Sequence, residues 1–352
     1  MDQATPQPKR APHGVVFRVC RTLVVLFAIL SGGVLFMIWM PGRSHRGAVP
    51  ALNESQRQVA AALRRDVEKL AAEIGDRNAR TRHAQLRRAA DFIEAELRGA
   101  GLRVERQTFT VNLPHIANRP CENVIGELPG ADPKAGAIVV GAHYDSVEGT
   151  VGANDNGSGG AAMLALARGL AGGRFAKTFR FVGFANEEPP YFQTAAMGSL
   201  VYARECRRRG DRIEAMISLE TLGYFTDEPG SQHYPIPALR LFYPGTGNFI
   251  GFVGNVKSRR LVRAVVGRFR AGTPIPSEGA ALPGAVAGVG WSDHWAFWQA
   301  GYRAIMVTDT APFRYPFYHT DMDTPENLDY ERLALVVGGL ETVLRGMAGS
   351  AP

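Results

Sequence analysis

The stretch that decides the fold runs from Ala137 to Leu170 and reads AIVVGAHYDSVEGTVGANDNGSGGAAMLALARGL. It opens on a continuous apolar run, Ala137 to Gly141, the pattern of a strand buried on both faces. It closes on small apolar residues from Gly157 to Leu170, the pattern of a helix lying against a sheet. Between the two lie His143, Asp145 and Asp155. A buried strand, a polar loop and a helix in that order make the first unit of an α/β fold.

The same alternation continues downstream. Thr178 to Ala185 reads as a strand ending at Glu187-Glu188, Met197 to Arg209 as a helix, and Ile213 to Leu219 as a strand running into Glu220. Ser258 to Arg270 is helical, Ala304 to Thr308 is a strand, and Tyr330 to Met347 is a terminal helix. Upstream, apolar residues recur every three or four positions from Asn53 to Ile74 and from Thr81 to Arg98, giving two amphipathic helices. Leu102 to Val111 alternates as a strand does, and Asn123 to Gly126 is a further short strand. The whole predicts a mixed, largely parallel central sheet flanked by helices. In such sheets ligands gather at the carboxyl ends of strands, and His143, Glu187-Glu188 and Glu220 each follow one. Residues 271–290, rich in Gly, Pro and Ala, read as a surface loop rimming that end.

The chain has 352 residues and a net charge of +7. Residues 1–46 hold six basic groups against Asp2, which is +5 and leaves +2 for the remainder. With a body so close to neutral the high pI does not argue for nucleic acid, and none is expected as a partner. Residues 22–40, TLVVLFAILSGGVLFMIWM, carry no charge, and as a helix they extend about 28 Å, close to a hydrocarbon core of ~30 Å. The apolar run is longer than a signal peptide's and lacks a small-residue cleavage site, so an uncleaved anchor is expected. Four basic residues precede it, so the positive-inside rule puts the N-terminus in the cytoplasm. The expected organisation is a cytoplasmic tail at 1–21, a transmembrane anchor at 22–40, a linker at 41–52 and one folded domain at 53–352. The composition is bacterial in character, which places the anchor in the inner membrane and the domain in the periplasm or outside the cell. Cys121 and Cys206 can pair there, because such compartments permit disulfides. Oligomeric state is not encoded in any pattern of the chain.

The chemistry rests on a scattered set: His143, Asp145, Asp155, Glu187, Glu188, Glu220 and His319. Two histidines and several carboxylates at strand ends are what a pair of zinc ions needs, and two ions close together are well served by one shared carboxylate. Asp155, inside the glycine-rich run GANDNGSG, is the natural bridge. His143 and Asp145 lie two apart on extended chain and point the same way, so Asp145 can hold the ring nitrogen that metal leaves free. Glu187 and Glu188 point in different directions, so that one ligates and the other moves protons. A lone HxD or a Glu-Glu pair is ordinarily structural or a solvated surface. The order of the set and its placement at strand ends lift it above that. The aromatic residues Tyr224, Phe225, Trp291, Trp295 and Phe313 are candidates for a substrate pocket, although each alone reads as core.

The runs GAHYDS (141–146), GANDNGSG (152–159), NEEP (186–189), SLETLGY (218–224), WSDH (291–294) and YHTDMDTPENLDY (318–330) together resemble the M28 family of zinc aminopeptidases. The resemblance extends from about Leu52 to the C-terminus. It implies a zinc-dependent exopeptidase fold, a peptide substrate and two zinc ions. It also implies that His143 and Glu220 hold one ion, Glu188 and His319 the other, and Asp155 both. Glu187 takes the family's general base and acid role, and Asp145 its histidine-orienting role. Many relatives carry Asp where this chain has Glu220. Asp293-His294 falls in a supporting segment, with a direct metal role the lesser expectation. The relatives leave other functions open: a glutaminyl cyclase working with one zinc, a carboxypeptidase using Arg303 or Arg314 for a terminal carboxylate, or a non-catalytic ectodomain.

Overall fold

The computed structural model describes residues 13–114 and 116–350, so residues 1–12 of the expected tail lie outside the described residues. The chain divides into two units, residues 1–39 and 40–352. The first contains helix α1 (His13–Ile38). Its segment Phe17–Ile38 has a mean hydropathy of 2.2 and none of it is buried, so it is long and apolar enough to cross a membrane.

The second unit begins with helices α2 (Glu54–Val67), prolonged by a wider turn over Glu68–Ile74, and α3 (His83–Gly99). Asn53 caps α2 in a reciprocal pair with Gln56, satisfying two amide groups that the first turn would leave open. Strands β1 (Arg103–Leu113), β2 (Ile116–Leu128) and β3 (Ala137–His143) follow, then α4 (Gly159–Leu170), β4 (Thr178–Phe184), α5 (Gly198–Arg209) and β5 (Ile213–Glu220). The last part comprises β6 (Ile250–Asn255), α6 (Arg259–Gly272), β7 (Ser277–Leu282), α7 (His294–Gln299), β8 (Ala304–Thr308) and α8 (Tyr330–Ala348).

The eight strands form one sheet in the order β1-β2-β4-β3-β5-β8-β6-β7. The central strands β4, β3, β5 and β8 are parallel, and the outer pairs β1–β2, β2–β4 and β6–β8 are antiparallel. β3 is buried along its whole length. Ile138 and Val140 enter a large core with helices α2, α3, α4, α6 and α8, while Ala137 and Val139 enter a second core with α5 and α7. Side chains alternating across a pleated strand feed both cores at once, which explains the unbroken apolar run at this point in the sequence. The second core centres on Phe184, Tyr202 and Phe297, whose rings lie 5.8–6.2 Å apart.

Two strands correct the expectations. Residues 271–290 are not a single loop, because β7 occupies Ser277–Leu282 and pairs with β6. The sequence SEGAAL has neither β-branched residues nor alternation. Its small residues serve close packing instead: a Cβ on Gly279 would come within 2.9 Å of Met40 and Val266. β6 was likewise unmarked, since Gly251 and Gly254 interrupt it. The short strand expected at Asn123–Gly126 belongs to the longer β2. Pro120 lies opposite Thr110 of β1 in the part of β2 that β4 does not reach, so one side of the strand is open there, a setting in which proline is tolerated.

The segment after α1 is fastened to the β7 edge. Met40 and Leu52 are buried, Ser44 Oγ accepts from Ser277 N at 2.8 Å, and Arg270 donates to the carbonyls of Pro41 and Gly42 at 3.3 Å each. Cys121 and Cys206 are free buried thiols in the two separate cores.

Candidate metal centre

The parallel strands bring their carboxyl ends together, and the site is built there. His143 ends β3, Glu220 ends β5, Glu187 and Glu188 follow β4, Asp155 lies in the turn leading to α4, and His319 follows β8. His143 Nε2 stands 3.3 Å from Asp155 Oδ1, 3.4 Å from Glu220 Oε2 and 3.9 Å from Glu187 Oε2. His319 Nε2 stands 3.1 Å from Asp155 Oδ2 and 3.3 Å from Glu188 Oε2. Two groups with metal-ligand reach result, His143–Asp155–Glu220 and Asp155–Glu188–His319, and Asp155 belongs to both. A third grouping joins His143, Glu187 and Glu188.

Local structure holds each group in place. Asp145 faces His143 Nδ1 at 3.5 Å, and its two carboxylate oxygens accept from the amides of Glu187 and Glu188 at 3.1 Å each. It therefore aims the histidine and the glutamate pair together. The GANDNGSG run is stapled to the end of β5. Asn156 donates to Leu219 O and accepts from Thr221 N, and Asn154 accepts from Gly223 N. Gly152 has φ 57°, and a Cβ there would lie 2.3 Å from Asp155 O, so only glycine fits. Three non-glycine residues at or beside the proposed ligands also adopt positive φ: Asn186 at 62°, Thr221 at 46° and His319 at 58°. Such strain clusters where side chains must be aimed against backbone preference.

Three positioning residues carried no sequence signal of their own. Asp323 accepts from the amides of Asn154 and Asp155 at 2.8 and 3.0 Å, and from Tyr315 OH at 2.8 Å. It lies within the quoted run 318–330, as Ser292 lies within the quoted run 291–294. Arg77 is wholly buried and donates to Tyr144 O at 2.6 Å, Val151 O at 2.5 Å and Gly152 O at 2.9 Å. One cation thus ties the loop after His143 to the loop before Asp155. Ser292 donates to Glu220 Oε2 at 2.7 Å. Asp293 and His294 join neither ligand group. His294 Nε2 lies 2.8 Å from Val289 O, and burial lowers its pKa to about 4.

The electrostatics call for positive charge. Burial raises Glu187 well above the carboxylate range, His143 opposing and Glu220 and Glu188 adding to the rise. Burial and the facing Asp155 push Glu188 up to about 8. Asp155 goes the other way: burial opposes ionisation, but His143 and His319 hold its carboxyl far below the ordinary range. The imidazoles mirror this. Burial works against protonation of His319, yet Asp155 and Glu188 lift it to about 10. His143 Nε2, Asp155 Oδ1, Glu188 Oε1 and His319 Nε2 are buried without hydrogen-bond partners. Buried polar atoms left unpaired are costly, and convergent nitrogen and oxygen donors of this kind fit divalent zinc.

An apolar cavity of about 860 Å³, its open mouth included, adjoins the centre, with Glu220 and Tyr318 in its wall. Of the aromatic candidates, Trp291 and Phe313 line it, stacked with ring centroids 6.4 Å apart. Phe225 and Trp295 pack into the cores instead, and Tyr224 packs on Tyr315 at 4.9 Å.

A buried α/β cleft of histidines and carboxylates beside an apolar pocket defines a metal-dependent hydrolase. Comparison with known proteins narrows this. The defining pattern of peptidase family M28 matches residues 123–339, and the chain belongs to that family. It is 38% identical over 268 residues to the uncharacterized protein YfbL of Escherichia coli K12, covering 74% of this chain and 80% of that one. Its fold matches a zinc aminopeptidase from Bacillus subtilis with a TM-score of 0.64 at 17% identity, over 82% of this chain and 95% of the other. It also matches a glutaminyl cyclase from Porphyromonas gingivalis with a TM-score of 0.62 at 20% identity, over 81% and 97%.

Asp323→Asn leaves one of the two amides at Asn154 and Asp155 without an acceptor. Metal affinity should fall about 10–100-fold, the usual cost of losing a group that orients a ligand. Chelator competition measures it, and an unchanged affinity would show that Asp155 needs no such support.

Proposed function

We propose that the chain is an aminopeptidase that hydrolyses N-terminal peptide bonds with two zinc ions. The observation that carries this reading is the sharing of Asp155 between two ligand groups of like composition, each with one histidine and one further glutamate. His143 and Glu220 would hold one ion, Glu188 and His319 the other, and Asp155 both. A one-ion centre of the cyclase kind would leave one of these buried groups uncompensated. Zinc in such a pair lowers the pKa of water toward about 7 and polarises a carbonyl oxygen.

Glu187 stands outside the two ligand groups that share Asp155. Its carboxylate lies 3.9 Å from His143 Nε2, and Asp145 fixes its backbone amide. Burial raises its proton affinity, which suits a group that takes a proton from the attacking water and returns it to the leaving amine as the C–N bond breaks. The surplus of carboxylates around it favours a substrate that brings a free ammonium group, which supports cleavage at the N-terminal end. Neither arginine that the carboxypeptidase reading would use is available to it. Arg303 is exposed and precedes β8, away from the carboxyl ends. Arg314 is buried, committed to Gln232 and Phe249 O at 2.8 Å each. All five proposed ligands and Glu187 are present, which disfavours a purely non-catalytic ectodomain.

Helix α1 we read as an uncleaved anchor, with the N-terminus cytoplasmic and the catalytic domain periplasmic or extracellular. Its length, its hydropathy and the basic residues before it support this.

Glu187→Gln should lower kcat on aminoacyl substrates by at least about 10²–10⁴-fold while the protein retains its zinc by elemental analysis. Near-normal turnover in that variant would remove Glu187 from its role. Extraction of membranes at alkaline pH should leave the chain in the pellet, and release into the supernatant would point to a cleaved leader instead.

A further inference from the structure

The cavity beside Glu220 has a floor whose shape follows from strand register. Glu220 of β5 pairs with Thr308 of β8, Thr308 with Gly251 of β6, and Gly251 with Glu278 of β7. Residues directly opposite one another on neighbouring strands project to the same face. Two carboxylates therefore stand at the ends of one row, three strand spacings or about 14 Å apart. Between them the row carries only the small Thr308 side chain and no side chain at all at Gly251, which leaves a trough. The neighbouring row, Met306, Val253 and Ala280, is apolar, and all of these residues line the cavity.

The near end of the trough is the proposed metal centre. The far end is Glu278 with Tyr234 and Tyr243, whose rings stack with centroids 5.9 Å apart. Burial raises the Glu278 carboxyl, opposed by Arg270, by a hydrogen bond from Ser44 and by the charge of Arg46. Arg270 reaches Glu278 only at 3.5 Å. Its guanidinium is held more closely by Ser277 O at 2.7 Å, and it also bonds the carbonyls of Pro41 and Gly42. A largely desolvated carboxylate in the same wall as a stacked pair of tyrosines, at the end of an apolar channel, is suited to an alkylammonium or guanidinium head. The methylenes of a long side chain would lie along the apolar trough. A leucine would fill only its near part.

We propose that the trough receives the side chain of the substrate's N-terminal residue, and that Glu278, with Tyr234 and Tyr243, selects lysine or arginine there. This rests on the aminopeptidase reading given above.

The test compares lysine and norleucine p-nitroanilides, which differ by the terminal ammonium alone, on the full-length zinc-loaded protein in detergent. The wild type should favour lysine by about tenfold or more in kcat/KM, the scale of one charge-assisted contact. Glu278→Gln should bring the ratio close to one with little change for norleucine. Tyr234→Leu, which removes one aromatic face, should lower the ratio about threefold. Equal or better cleavage of norleucine by the wild type, or a ratio untouched by Glu278→Gln, overturns the proposal. Thermal-shift titration with lysinamide and norleucinamide separates the two readings. If neither anilide is cleaved, a larger Glu278-dependent shift with lysinamide keeps the subsite and rejects the aminopeptidase, whereas equal shifts reject the subsite.

Discussion

A single buried carboxylate, Asp155, organises this end of the molecule. It faces His143 at 3.3 Å and His319 at 3.1 Å, two imidazoles delivered by chain segments far apart in sequence. A carboxylate in that position must be precisely aimed, and most of the unusual local structure does this. Asp323 grips its backbone amide and that of Asn154. Arg77 fixes the carbonyls of Val151 and Gly152 just before it, and the Asn156 and Ser158 side chains tie its loop to the end of β5. The central parallel strands serve the same purpose on a larger scale. Their carboxyl ends set His143, Glu188 and Glu220 around one carboxylate, and the loop that carries His319 and Asp323 closes over it.

The balance of charge follows from that arrangement. Four carboxylates and two imidazoles share a largely buried space. Protonation alone satisfies such a group poorly, which is why Glu187 and Glu188 are pushed up while Asp155 is held down. Divalent cations would resolve the conflict by neutralising the carboxylates that touch them, leaving Glu187 as a group free to carry a proton. The same logic of small residues and register shapes the pocket. Gly251 and Thr308 leave a trough because they present little side chain on the row that begins at Glu220.

Much of this was legible in the sequence, for specific reasons. The strand leading into His143 is apolar throughout and the one leading into Glu220 is mostly so, broken only by Glu214 and Ser218, so the polar residue at each end stands out. His319 sits in an irregular loop that no periodicity marks; its place at the end of the ordered set of histidines and carboxylates singles it out, and the resemblance of its surroundings to a family supports that. Asp323, Arg77 and Ser292 escaped notice because each acts chiefly through hydrogen bonds to backbone or side chains distant in sequence, which no local pattern records. β6 and β7 escaped because glycine and alanine give no strand signal, although these two strands supply much of the pocket floor. Trp291 and Phe313 were marked as pocket aromatics, whereas Tyr234 and Tyr243 come from the long loop between β5 and β6 and gave no sign.

The central claim is that Asp155 bridges two metal ions. Diffraction data from crystals of the zinc-loaded protein, collected on both sides of the zinc absorption edge, test it most directly. The expected result is two anomalous peaks about 3.5–4 Å apart, one beside His143 and Glu220, the other beside Glu188 and His319, with the Asp155 carboxylate between them. A single peak, or two peaks of which only one contacts Asp155, would contradict it.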